Sequence, residues 1–421
     1  MQNMPPSTRR DFARIAIGAA TLAPSPLAAA PGTYVKPKIR AITGYVAVDR
    51  PRFEERIQDA LRILRPAKKF VQDGGYDVQT IRIVTQPFPE YTRGLSHDAA
   101  LKFFRDYAEM AVQEGFSANI GPAMLRDTDD PSHAELLGEI LSAGKSPNAS
   151  LVIAGEDGIH WNALKAAAKL IKNVGDHSPD SAGNFGFAAT AMLQPYGPFF
   201  PGAYHVGEGR RFAIGTEGAN VVDQVFGETA GNAPLAEERL TSALSQHAIA
   251  IEKLAKQIEK ETGWTFMGLD LTPAPLGNVS IGAAIEKFIG GKFGSSGTMT
   301  ACAIITRAVQ AAPVKRTGYS GLMVPVMEDN LLAQRWDEGT YGIDALLAYS
   351  AVCGTGLDTI PLAGGITQRQ IERILSDVAM LAFKWKKPLS ARLLPAKGKS
   401  AGERTAFNDS RMRNTLIHET L

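Results

Sequence analysis

The sequence predicts an α/β protein built as one large unit, either a closed barrel or a doubly wound sheet, and three observations predict it. Strand-like apolar stretches alternate with amphipathic helical stretches, a rhythm that calls for parallel strands joined by helical crossovers. About ten strand candidates appear, and no stretch between them has the composition of a linker. At 421 residues the chain can bury a large core, and closed α/β barrels commonly exceed the usual domain size.

Taken in order, Lys38–Val46 alternates as a first strand should, and Phe53, Ile57, Leu61, Leu64 and Val71 then form one helical stripe with Pro66 as a kink. Val78–Val84 reads as a second strand, followed by a helix over Asp98–Glu114, a strand over Ser117–Ile120, a helix over Ser132–Leu141 and a strand over Ser150–Ala154. A helix over Trp161–Val174 precedes the irregular, aromatic-rich passage Gly183–Gly209, which is long enough to be a binding loop or lid. Arg211–Ile214 returns to strand, Leu235–Glu261 is a long helix, and Trp264–Leu269 is a strand. Gly290–Thr298 opens the helix Met299–Val309, whose first amides, with Ser296 and Thr298, can hold an anion. That run lacks the spacing of a P-loop or a dinucleotide fingerprint. A Thr367-x-x-Gln370 capping box starts a helix with Ile371, Ile374, Leu375, Val378, Leu381 and Trp385 toward the core, and Leu389–Leu394 closes the chain of strands.

Composition excludes several function classes. The chain is 44% apolar and 21% charged with net charge +2, and its basic and acidic residues are interleaved, which gives no footprint for nucleic acid or an anionic membrane surface. Cys302 and Cys353 are too few for a disulfide framework and too far apart for paired zinc ligands, though one bridge between them stays open. Residues 1–30 differ from the body: Thr8-Arg9-Arg10-Asp11-Phe12, a short apolar run from Ile15 to Ala23 and the small-residue end Ala28-Ala-Ala30 read as a twin-arginine export signal. The expected location is therefore periplasmic, without stable membrane insertion because the apolar run is too short to span a bilayer. Residues 31–421 form the expected single α/β domain, with a homodimer as the default assembly.

Four acids share one setting. Glu217, Asp270, Glu328 and Asp358 each follow an apolar stretch in a turn rich in Gly or Pro, and the carboxyl ends of parallel strands form the binding face of α/β folds. Converging there, they can ligate a divalent metal or raise one another's pKa for acid–base work; each taken singly is equally a helix cap. His205 ends the aromatic loop before Glu217 and is the histidine to watch for substrate contact. Cys353 is a nucleophile, a ligand or a small buried apolar residue. Arg392, inside the last strand, is either an anion clamp or half of a buried ion pair.

Several longer stretches carry a family resemblance: Val78–Arg82, Pro198-Phe-Phe-Pro-Gly-Ala-Tyr204, Gly318–Pro325 with Glu328-Asp329, Tyr349–Leu362, Lys387–Arg392 and Gly398–Gly402. Together they resemble the family called domain of unknown function 711, of the UPF0210 type. The resemblance implies a ten-stranded α/β barrel like that of pyruvate formate-lyase and the anaerobic ribonucleotide reductases, made of two parallel half-sheets around a central hairpin. It brings no established reaction. Glycyl-radical relatives need a cysteine on that hairpin and an Arg-Val-x-Gly-Tyr motif near the C-terminus; Lys315-Arg-Thr-Gly-Tyr319 echoes the motif with lysine in place of arginine.

The reading that follows is an enzyme acting on a small polar, anionic molecule inside the barrel. Glu217, Asp270, Glu328 and Asp358 serve as metal ligands or acid–base groups, and His205, Ser296, Thr298 and Arg392 as substrate contacts. Thiol chemistry at Cys353, and solute binding without turnover, are the alternatives.

Overall fold

A computed structural model describes residues 34–144 and 146–420; the predicted export leader lies outside the described residues. Ten strands belong to one sheet: β1 Lys38–Val46, β2 Val78–Thr85, β3 Ser117–Pro122, β4 Asn148–Gly155, β5 Gly158–Ile159, β6 Phe187–Ala191, β7 Arg210–Glu217, β8 Thr265–Asp270, β9 Gly356–Ala363 and β10 Leu389–Ala396. The hydrogen-bonded order is β8-β7-β1-β2-β3-β4-β6-β10-β9, with the two-residue β5 folded back on β4.

Two half-sheets make up this order. β1, β2, β3, β4 and β6 are parallel to one another. β7 and β8 are parallel, as are β10 and β9, but β7 meets β1 and β10 meets β6 antiparallel. The second half therefore runs against the first at both junctions. The ladder is not closed between β8 and β9. There the irregular segment 315–326 pairs with both edges through isolated bridges, Leu269 with Arg316 and Pro325 with Asp358. Leu269 N donates to Lys315 O at 2.8 Å and Val326 N to Asp358 O at 3.0 Å.

Helices cover the outside. Phe53–Asp73 packs on β1 and β2; Trp161–His177 and Gln368–Trp385 pack on β4 and β10; Ala233–Thr262 packs on β8. Strands covered outside by helices and inside by the lumen are buried on both faces, which is why β4, β9 and β10 show no alternation of buried and exposed residues. Inside, two small clusters stand apart from the main core: Leu193, Phe199, Ala274, Tyr319 and Met323, and Tyr45, Val84, Ala203 and Ala213.

Both gather around the connection from β6 to β7, residues 192–209, which crosses the lumen. Its carbonyls are taken up by the surrounding strands. Pro198 O accepts from Thr43 Oγ1 at 3.3 Å and Arg82 Nη1 at 3.2 Å, Pro201 O from Asn119 Nδ2 at 2.7 Å, and Tyr196 O from Thr317 Oγ1 at 3.1 Å. The connection stands where the resemblance implies a central hairpin; it holds no named strand and no cysteine.

Several sequence expectations need correction. β6 lies inside the passage read as wholly irregular, because Phe187-Ala-Ala-Thr-Ala is short and made of small residues. Asp358 lies within β9 rather than in a turn: a buried strand accommodates Gly356 and Pro361 at the sheet's irregular edge. Glu217 and Asp270 are the last residues of β7 and β8. Trp385 is 58% exposed and does not face the core, since it ends its helix just before the left-handed Lys386. The helix Phe53–Asp73 runs through Pro66 unbroken.

Candidate functional site

The antiparallel meeting of the half-sheets decides which residues share a level in the lumen. Lys38 pairs with Glu217 and Ile39 with Val78. The carboxyl ends of the second half-sheet therefore lie beside the amino ends of the first. Acids from one and basic residues from the other meet there.

Three of the four predicted acids join one ladder. Glu217 Oε2 accepts from Arg40 Nη1 at 2.9 Å and from Gln79 Nε2 at 2.6 Å. Arg40 Nη2 lies 3.7 Å from Glu328 Oε2. Arg392 completes it with Nη2 on Glu328 Oε1 and Nε on Asp358 Oδ1. All three acids and Arg392 are buried. Burial alone lowers the Arg392 pKa, but Asp358 and Glu328 more than offset it, so the guanidinium is held charged. Burial raises the Asp358 carboxyl against the opposing pull of Arg392.

Carboxylates that alternate with arginines are already neutralised, and their oxygens point at guanidinium groups rather than at a common centre. Among the described residues no three His, Cys, Asp or Glu side chains group as a metal site. The four acids do not fit the divalent-metal ligand set read from the sequence, because Arg40 and Arg392 stand between three of them.

Asp270 has a different task. Its Oδ1 accepts from Thr272 Oγ1 at 2.6 Å, Thr272 N at 3.1 Å and Ser320 N at 3.0 Å, and its Oδ2 from Tyr319 N at 2.8 Å. It thereby fastens the irregular segment to the end of β8. Gly318 makes this fit, with φ at 67° and no room for a Cβ against the carboxylate. Burial raises the Asp270 pKa to about 6 although these hydrogen bonds oppose it.

The other predicted residues lie apart from the ladder. His205 is fully buried beside Tyr196, ring centroids 5.7 Å apart, and neither ring nitrogen has a hydrogen-bond partner. Burial, then the Arg211 charge, lowers its pKa to about 4, so it is neutral. Ser296 is exposed, and Thr298 is buried with its Oγ1 accepting from Gly294 N at 3.1 Å. Cys302 and Cys353 are both free, buried thiols. Lys387 Nζ donates to the Cys353 and Ser350 carbonyls.

Beside the ladder is a cavity of about 180 Å³ faced by Arg40, Arg82, Arg392 and Arg411, with Glu328 as the carboxylate in its wall. Phe185, Phe199 and Phe200 form its apolar side. Arg82 rests on the Phe200 ring at 4.7 Å and Arg411 on Phe185 at 4.4 Å. Arg411 pairs with Asp409 at 2.5 Å. Arg82 donates only to the Pro198 carbonyl and to Thr80 Oγ1, at 3.2 and 3.3 Å, and has no carboxylate partner among the described residues. Burial, followed by the Arg40 charge, lowers its pKa to about 9. Since guanidinium groups stay protonated, the shift expresses a cation short of solvation.

Sequence reasoning missed Arg40, Gln79, Arg82, Phe185 and Arg411. A signal existed for two of them. Arg40 and Arg82 are charges flanked on both sides by apolar residues in strand sequences, Ile39-Arg-Ala41 and Ile81-Arg-Ile83, and on a strand of a barrel packed outside by helices such a charge points to the lumen. Arg411, in the segment after the last strand, carries no local signal.

A UPF0210 protein from Pyrobaculum aerophilum is 32% identical over 373 residues, covering 83% of this chain and 81% of that protein. Another, from Oenococcus oeni, is 26% identical over 368 residues, covering 83% and 81%. Among solved structures, the anaerobic ribonucleotide reductase from Thermotoga maritima in complex with dATP and CTP aligns with 84% of this chain and 75% of that one, at a TM-score of 0.38 and 8% identity. The family described as Uncharacterised ACR (DUF711) matches residues 35–409, a span that includes all ten strands. The chain belongs to that family.

Proposed function

We propose that this protein binds a small, singly charged anion in the arginine-lined cavity and acts on it by proton transfer through Glu328. The observation that carries the reading is Arg82, a guanidinium facing the cavity without a carboxylate partner among the described residues. A desolvated cation is costly until a counter-charge arrives, and an anion held by guanidinium donors supplies one. Among the described hydrogen bonds, none uses Arg82 Nη2, Arg392 Nη1 or Arg411 Nη1. Those donors remain for a ligand.

Charge balance limits the anion. Arg40, Arg392 and Arg411 are paired with Glu217, Glu328, Asp358 and Asp409, so the cluster, with Arg82 included, carries no net excess that would favour a polyphosphate. Glu328 is the carboxylate in the cavity wall and so the group placed to exchange a proton with a bound molecule. Both of its oxygens also face arginines, which favours a second reading, binding without turnover.

Calorimetric titration with acetate, glycolate and inorganic phosphate tests the proposal, with the bound mixtures followed by mass spectrometry for turnover. Acetate and glycolate should bind, and Arg82→Met should weaken them at least about tenfold, the scale of one charge-assisted hydrogen bond. Undiminished binding by Arg82→Met, or no binding of any anion, overturns the reading. Binding without product selects the non-catalytic form.

A further inference from the structure

A second cavity, of about 420 Å³, abuts the arginine-lined one. The two share Ser117, Asn148, Phe185 and Arg411 as a common wall. We infer that they form one elongated site, whose ligand is an anion-headed molecule with a neutral, partly apolar body: the head lies among Arg82, Arg392 and Arg411, and the body runs past Phe185 into the outer cavity. The inference rests on the proposed anion binding and adds the class of molecule.

The chemistry of the outer cavity differs from that of the inner one. Ala111, Val112, Phe116, Pro147, Ala182 and Phe185 supply the apolar part of a surface that is about half polar, the rest including Ser146, Asn148 and Asn408. Among the described residues its acids are Asp180 and Asp409 and its basic side chain is Arg411, which Asp409 already pairs. Among those residues a second anionic group has no unpaired cation to meet, which favours a neutral body. Val112 is 61% exposed on the helix His97–Glu114. A large aliphatic side chain left open to solvent at a cavity wall is surface that a ligand body would cover.

The partition is made of side chains that can move. Arg411 is 59% exposed and comes from the C-terminal segment, outside the named strands and helices. It lies against Phe185 at 4.4 Å, and Arg392 reaches the same ring at 5.0 Å. Turning Arg411 toward a bound carboxylate keeps its charge compensated and opens the shared wall.

The experiment compares acetate, the head alone, with hexanoate, the head with a body, and with 1-hexanol, the body alone. Titrations use the full chain, Val112→Trp and Arg82→Met. Each buried methylene is worth about a fourfold gain, so hexanoate should bind at least about tenfold tighter than acetate even if only part of its chain is covered. Val112→Trp, at an exposed position, fills the outer cavity; it should erase that advantage and leave acetate unchanged. Arg82→Met should weaken acetate and hexanoate alike, and 1-hexanol should bind far more weakly than hexanoate.

Hexanoate no tighter than acetate, or a Val112→Trp effect equal for both, overturns the elongated site while leaving anion binding intact. Failure of both anions to bind, or indifference to Arg82→Met, overturns anion binding and the inference with it.

Discussion

Replacing Arg392 by methionine removes the cation that Glu328 and Asp358 share in the buried ladder. Methionine keeps most of the side-chain volume, so the loss is chiefly electrostatic. Breaking a buried pair by removing one partner costs about 3–5 kcal/mol, because the abandoned charge stays buried. Over the body of the chain from Tyr34 onward, an unfolding entropy of roughly 2.1 cal/mol/K per residue converts this to a Tm lowered by about 4–6 °C. The deficit has a defined pH dependence. Without the guanidinium, burial pushes the already raised Asp358 carboxyl further up, so the folded variant binds a proton where the unfolded chain has released it. Stability is then lost as pH rises through the raised folded value, and the deficit is larger at pH 8 than at pH 5. Calorimetric melting at both pH values measures it. The triple variant Arg392→Met/Glu328→Gln/Asp358→Asn should recover much of the loss, since no charge is left uncompensated. A single variant within about 1 °C of the parent at pH 8, or a triple variant as unstable as the single, would refute the reasoning.

Further outcomes follow from other residues. Arg82→Met should leave Tm unchanged or slightly higher, because it removes a poorly solvated cation that has no carboxylate partner among the described residues; a large drop would make Arg82 structural. Asp270 is raised to about 6, so its contribution is full below the unfolded value near 4 and is lost as pH rises through about 6, roughly 3 kcal/mol in all. Melting from pH 4 to 7 should show that slope in the parent and not in Asp270→Asn. Gly318→Ala places a Cβ against the Asp270 carboxylate at a φ of 67°; a loss of about 1–3 kcal/mol in denaturant unfolding is expected. Cys302 and Cys353 should resist a thiol reagent in the folded protein and react on unfolding, since both are buried; fast native labelling of Cys353 would restore the thiol reading.

The strand–helix rhythm was legible because it depends on local pattern. The strands at Lys38 and Val78, the capped helix after Thr367 and the closing strand all follow their side-chain periods. β6 and β9 escaped because small residues, Gly356 and Pro361 mimic loop composition, and only tertiary pairing makes them strands. At the site, Glu217, Glu328 and Asp358 were legible as acids at the ends of apolar runs, and Arg392 as a charge inside the last strand. Their partners were not. Which cation meets which acid is set by the register of β1 against β7, a contact between residues such as Lys38 and Glu217 that no local window contains. Asp270 was legible as an acid in the right place, yet its hydrogen bonds to Tyr319 and Ser320 make it a fastening of the chain.

The crossing of residues 192–209 through the lumen bears on the order of assembly. Its carbonyls bond to β1, β2, β3 and the irregular segment, so three of its four anchor points lie in the first half-sheet. The first half-sheet can form early from strands that neighbour one another in sequence. Until β7 and β10 arrive, β1 and β6 are bare edges open to pairing with another chain. Their covering waits on long-range contacts, which are slow to form. A chain halted after residue 209 would hold five parallel strands with both rims unprotected, and a ribosome pausing there would present that species to its neighbours.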